Sequence, residues 1–137
     1  MILRFLAFHY YQSNYRAPMK DFLNRYMAAN KGLGRQSEKD LTDIFARTAS
    51  TIHTGIGRRA FRPRRAVNAA VVDSLMAAVA DRLVKSGPIT DMKQFAIQYD
   101  GLLKDKEYMV AVETGTSAEA NVETRFRKAR EAFASVR

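Results

Sequence analysis

Apolar residues recur along most of this chain at intervals of three and four, the spacing of one face of an α-helix, and nowhere alternate long enough to predict a strand. The most apolar stretch lies in Phe61–Val84, FRPRRAVNAAVVDSLMAAVADRLV. From Asn68 onward it has no Gly or Pro for about five turns. Val71, Val72, Leu75, Met76, Val79 and Leu83 form one broad apolar face, and Ser74, Ala77, Asp81 and Lys85 mark a thinner polar seam. This pattern predicts a central helix, Asn68–Val84, covered on most sides by others.

The remaining segments read as helices packed around it. Ile2 to about Gln12 is apolar nearly all round, which predicts burial on several sides and hints at a piece of something longer. Pro18 suits the first position of a second helix, Pro18–Asn30, which Gly32 and Gly34 terminate. Ser37 and Asp40 have the spacing of a capping box. The helix behind them carries Leu41, Ile44, Phe45, Thr48, Ile52 and Ile56 on one face, and Gly55 and Gly57 end it. After the central helix, Ser86-Gly87-Pro88 is a stop signal. Thr90 is the expected cap of the next helix, which runs through Phe95, Tyr99 and Leu102. A short helix follows over Asp105–Glu113, with Val110–Glu113 too short a β-like run to displace it. Thr116 or Ser117 should cap the last helix, where Val122, Phe126, Ala129, Phe133 and Val136 make a narrow apolar seam. The fold class is therefore all-α: residues 1–137 as a single compact domain of six or seven helices.

Composition narrows the partners rather than the fold. Lys and Arg number 23 against 14 Asp and Glu, a net charge of +9, which favours polyanions, nucleic acid ahead of a membrane surface. Cysteine is absent, excluding disulfides, thiol nucleophiles and zinc–thiolate sites and fitting a cytoplasmic protein. No apolar run approaches the roughly 20 residues that span a bilayer, and MILRFLAFHYYQ lacks the small-residue cleavage site of a signal peptide.

Few motifs carry chemistry. Gly55-Ile56-Gly57-Arg58-Arg59-Ala60 matches a dinucleotide-binding string, but it follows a helix where that motif needs a strand. His9 and His53 stand on different helices without carboxylates at ligand spacing, so no metal site is expected. Asp105-Lys106-Glu107 reads as a charged helix start. No catalytic residue and no cofactor are assigned. The strongest ligand candidate is the turn before the central helix, with Arg58, Arg59, Arg62, Arg64 and Arg65 within eight residues. Guanidinium forks suit phosphate oxygens, and phosphate contacts carry affinity without sequence readout. The alternative is a solvated loop with some arginines paired to Asp73, Asp81 or other carboxylates. A second basic group, Arg125, Arg127, Lys128, Arg130 and Arg137, runs along the last helix.

Four segments in order, RFLAFHY (Arg4–Tyr10), MKDFLNRYM (Met19–Met27), FRPRRAVNAAVVDSLM (Phe61–Met76) and YDGLLKDKEYMVAVETGTSAEANVETRF (Tyr99–Phe126), resemble the helical C-terminal part of the GmrSD-type family. That family joins a ParB-like nucleotide-hydrolysing or nuclease domain with a DGQQR motif to this helical region, and many members restrict modified phage DNA. This chain has neither DGQQR nor an HNH motif. The resemblance thus implies a non-catalytic accessory domain of a restriction or phage-defence protein, binding DNA phosphates non-specifically or supporting assembly. The competing expectation is a protein-interaction module. Its surface would be Leu3, Phe5, Leu6 and Phe8 of the first helix, docking a second copy of the chain or a separately encoded catalytic partner.

Overall fold

The computed structural model describes residues 1–137 as seven α-helices joined by short turns, with no strand. They are α1 (Ile2–Tyr11), α2 (Met19–Ala29), α3 (Glu38–Gly55), α4 (Ala69–Ser86), α5 (Met92–Leu102), α6 (Lys106–Glu113) and α7 (Glu119–Phe133). One domain of all-α class is thus observed, and α4 is its axis. Helices α1, α3 and α7 pack along α4, while α5 and α6 lie against α7. No helix is long and apolar enough to cross a membrane.

Helix α4 starts because the Asn68 side chain accepts from the amides of Ala70 (2.9 Å) and Val71 (3.1 Å), satisfying donors that have no partner inside the helix. It stops at Gly87, whose φ of 76° closes the C-terminus at little cost in a residue without Cβ. Between them every residue from Ala70 to Ala80 is buried. The polar seam expected from the sequence is therefore corrected: Ser74 and Ala77 are enclosed, and only the Asp81–Lys85 end reaches solvent. Alanines let neighbouring helices close on this side. Ser74 keeps its hydroxyl satisfied by the Ala70 carbonyl and the Tyr108 hydroxyl, each at 2.9 Å. Each fully buried Val, Leu or Met stabilises the fold by about 1.5–3 kcal/mol, so this helix is held by packing rather than by propensity.

The core has two parts. The larger surrounds Leu75 and Val79 and runs through Phe95, Tyr99, Tyr108 and Phe133. The smaller is aromatic, with Phe8, Tyr15, Phe22, Tyr26 and Phe126 closing α1 and α2 over the start of α7. Phe8 lies 4.6 Å from Phe126 and 5.0 Å from Phe22, centroid to centroid, within the range of favourable aromatic pairs.

Several boundaries move. Pro18 is the N-cap of α2, and the helix begins at Met19. Ser37 does cap α3, accepting from the Asp40 amide at 3.1 Å. Asp91, not Thr90, caps α5 by accepting from the Gln94 amide at 2.8 Å. Neither Thr116 nor Ser117 caps α7, which starts after Ala118 with no side-chain cap. The apolar seam of α7, Val122 to Val136, is spent entirely on intrachain packing.

The expected interaction surface on α1 needs the largest correction. Phe5 and Phe8 are fully buried, while Leu3 and Leu6 are half-buried against the aromatic cluster. A helix apolar nearly all round found cover on most sides within its own chain, so neither phenylalanine faces a partner.

Candidate nucleic-acid interface

The arginine turn spans Gly57–Asn68, between α3 and α4. Gly57 turns the chain with a φ of 76°, and the Asn68 amide donates to the Phe61 carbonyl at 2.9 Å, closing the loop just before α4. The Asn68 side-chain amide also donates to the Val112 carbonyl at 2.8 Å. One residue thus caps α4, closes the turn and ties both to α6.

The five arginines divide into two groups by partner. Arg59 pairs with Asp100 of α5 and lies 5.1 Å from the Tyr99 ring centroid. Arg64 Nε donates to Glu113 Oε1 of α6 at 2.6 Å. The hydrogen bond from Arg59 holds the Asp100 carboxyl below its ordinary value, and Arg64 does the same to Glu113. Beneath them the Tyr99 hydroxyl donates to the carbonyls of Arg59 (3.1 Å) and Ala60 (3.0 Å), and burial pushes it up to about 12. Tyr99 and Asn68 thus hold the backbone of the turn from beneath, and Arg59 and Arg64 pin its outer side to α5 and α6 through solvent-exposed pairs. Arg58, Arg62 and Arg65 are exposed and form no ion pair or side-chain hydrogen bond. The carboxylates proposed from sequence as partners, Asp73 and Asp81, are engaged elsewhere.

The second basic group is not a free stripe. Arg127 pairs with Glu131 and Glu107, Lys128 with Asp105 and Glu107, and Arg130 with Asp81. Arg125 is wholly buried, its Nη2 3.6 Å from Asp73 Oδ2 and its Nη1 donating to the Thr116 carbonyl at 2.6 Å. Its Nε and Nη2 make no hydrogen bond. Its guanidinium instead lies 5.6 Å from the Phe126 ring centroid and 6.0 Å from that of Phe8, and burial lowers its pKa from the ordinary value against the pull of Asp73. Of this group only Arg137 stays exposed and unpaired through its side chain.

His9 does have a carboxylate, contrary to the reading from spacing. Its Nδ1 lies 2.8 Å from Asp81 Oδ1, and Arg130 Nε donates to Asp81 Oδ2 at 2.7 Å. Arg130 Nη2 reaches Gln12 Oε1 at 2.5 Å. This chain of contacts joins α1, α4 and α7, and its His9, Gln12 and Arg130 line a polar cleft of 620 Å³ together with Arg16, Glu119 and Glu123. Such a bond orients an imidazole, yet no serine or threonine hydroxyl lies within hydrogen-bonding distance of the ring to act as a nucleophile. No three His, Asp or Glu side chains gather to hold a metal ion.

Fold and surface together define a basic, all-helical single-domain protein with a pinned arginine turn. No family model, no curated protein and no solved structure matches this chain.

Proposed function

We propose that the domain binds nucleic-acid phosphates through Arg58, Arg62 and Arg65, as a non-catalytic accessory domain. The observation that carries this reading is the division of labour within the turn. Two arginines are consumed in fixing its shape on α5 and α6, and three are left as unpaired guanidiniums on that fixed frame. A preorganised cationic turn loses less entropy on meeting a polyanion than a mobile one, and the net charge of +9 adds attraction at longer range. Its setting within a GmrSD-type restriction or phage-defence protein rests on sequence resemblance alone. A DGQQR-bearing reading frame directly upstream would support that setting.

Binding should be weak and indifferent to sequence. Its log–log salt dependence should have a slope of about −0.9 per phosphate contacted, hence near −3 for three contacts. Fluorescence anisotropy with a short labelled duplex at low and moderate salt measures this. Arg58→Ala, Arg62→Ala and Arg65→Ala together should flatten the slope, and Lys93→Ala should not. No binding at low salt would remove the proposal.

A further inference from the structure

An apolar groove opens beside the arginine turn, between Met1 and Ile2 at the start of α1, α3, the turn and the first half of α4. It encloses 410 Å³. Ile52 and Met76 are buried at its floor, the half-buried rings of Phe45 and Phe61 line it, and the exposed His53 and Arg58 stand at its rim. No carboxylate lines it. Arg58 therefore belongs both to this groove and to the unpaired cations of the turn.

We infer that the groove takes an unpaired nucleobase from a single-stranded or locally opened nucleic acid whose backbone lies on Arg58 and Arg62. This inference rests on the phosphate-binding reading and names the form of nucleic acid that site prefers. A base offers two apolar π faces and a polar edge. The groove offers aromatic and aliphatic surface for the faces, and His53 and Arg58 at the mouth for the edge and the adjoining phosphate. In a duplex those faces are covered by stacking, so only an extruded or unpaired base can enter. Stacking on aromatic side chains is tolerant of sequence, in keeping with a surface that lacks any base-reading array. Charge complementarity favours this occupant over a neutral or cationic one, because the groove's polar rim is cationic and carries no acid.

The test compares three labelled probes of equal phosphate count at one low salt concentration: a single strand, a duplex of half its length and a fully abasic strand. The single strand should bind about 10-fold or more tighter than the abasic strand, as expected for one stacked base. A 2-aminopurine within the strand should brighten on binding the wild-type protein, because the base leaves its stacked neighbours for a groove whose rings are phenylalanines, a readout that needs no variant. Ala49→Phe, which adds bulk to the groove from α3, should abolish the preference and the brightening while leaving duplex affinity unchanged. Equal affinity for all three probes, or no brightening, overturns the groove proposal and leaves the phosphate-binding reading standing. Absence of binding to every probe overturns both. Uptake of a fluorescent fatty acid that Ala49→Phe blocks, without any preference for unpaired bases, would assign the groove to amphipathic anions and overturn the proposal as well.

Discussion

The carboxylate of Asp73 sits in the second turn of α4 at 1% exposure with two guanidiniums beside it. Arg4 of α1 donates to it from Nε at 3.1 and 3.2 Å, and Arg125 of α7 lies 3.6 Å away. The Arg4 guanidinium is held above its ordinary value by the hydrogen bond to Asp73. Removing one member of a buried pair leaves the other charge desolvated and unpaired, which costs about 3–5 kcal/mol. Asp73→Ala strands two cations and should lower the unfolding free energy by that order, seen as a lower urea midpoint, or abolish folding. Arg125→Met keeps the buried stem and the Arg4–Asp73 pair, so its loss should be smaller. A midpoint for Asp73→Ala equal to that of Arg125→Met would mean that the carboxylate is not the hub of this cluster.

Helices α3 and α5 meet at Gly55, the last residue of α3. A Cβ there would overlap the Phe95 ring and come within 3.2 Å of Met92 Sδ. Phe95 cannot swing away, because it is fully buried with Phe133 packed edge-on at 5.1 Å. Gly55→Ala should therefore destabilise by about 1–3 kcal/mol, the usual cost of overpacking. Gly101 is the opposite case: it lies in the last turn of α5 with no atom within 4 Å of where a Cβ would stand. Gly101→Ala should stabilise by about 0.5–1 kcal/mol through helix propensity alone. Chemical denaturation of the two variants should thus move the midpoint in opposite directions, and movement in the same direction would contradict the close approach of α3 to α5.

At the scale of the whole molecule, cations outnumber acids 23 to 14, so stability leans on where the few carboxylates stand. Asp100 is held below its ordinary value by Arg59, Asp105 by Lys128 and the Tyr108 amide, and Glu113 by Arg64. Each binds its proton less readily in the folded chain than in the unfolded one. Their contribution is therefore complete above the unfolded values near 4 and is lost as pH falls through the folded ones. Protonation also releases the pins of the arginine turn while the net positive charge rises. Urea midpoints should fall steadily between about pH 5 and pH 2, and Asp105→Asn should flatten that fall. A midpoint that stays level over the range would show that these pairs do not couple to folding.

The helical pattern alone determined that α4 is the axis of an all-α domain, because Val71, Leu75, Val79 and Leu83 lie within a few turns of one another. It also located the Ser37 cap of α3 and the Gly57 stop, since both depend on neighbours one turn away. Even at that range it misjudged α5, where the chain's path gave the cap to Asp91. It identified the arginine turn as a cationic feature, but only the tertiary structure decided which arginines are pins and which are open. Asp100 is 41 residues from Arg59, and Glu113 is 49 from Arg64. The same distance in sequence hid Arg4 and Arg125 behind Asp73 and gave His9 a partner in Asp81. It also buried Phe5 and Phe8, whose excess of apolar surface looked like an interface. Helix periodicity and capping follow from the local chain; ion pairing and cover depend on which surfaces the packed helices bring within a few ångströms.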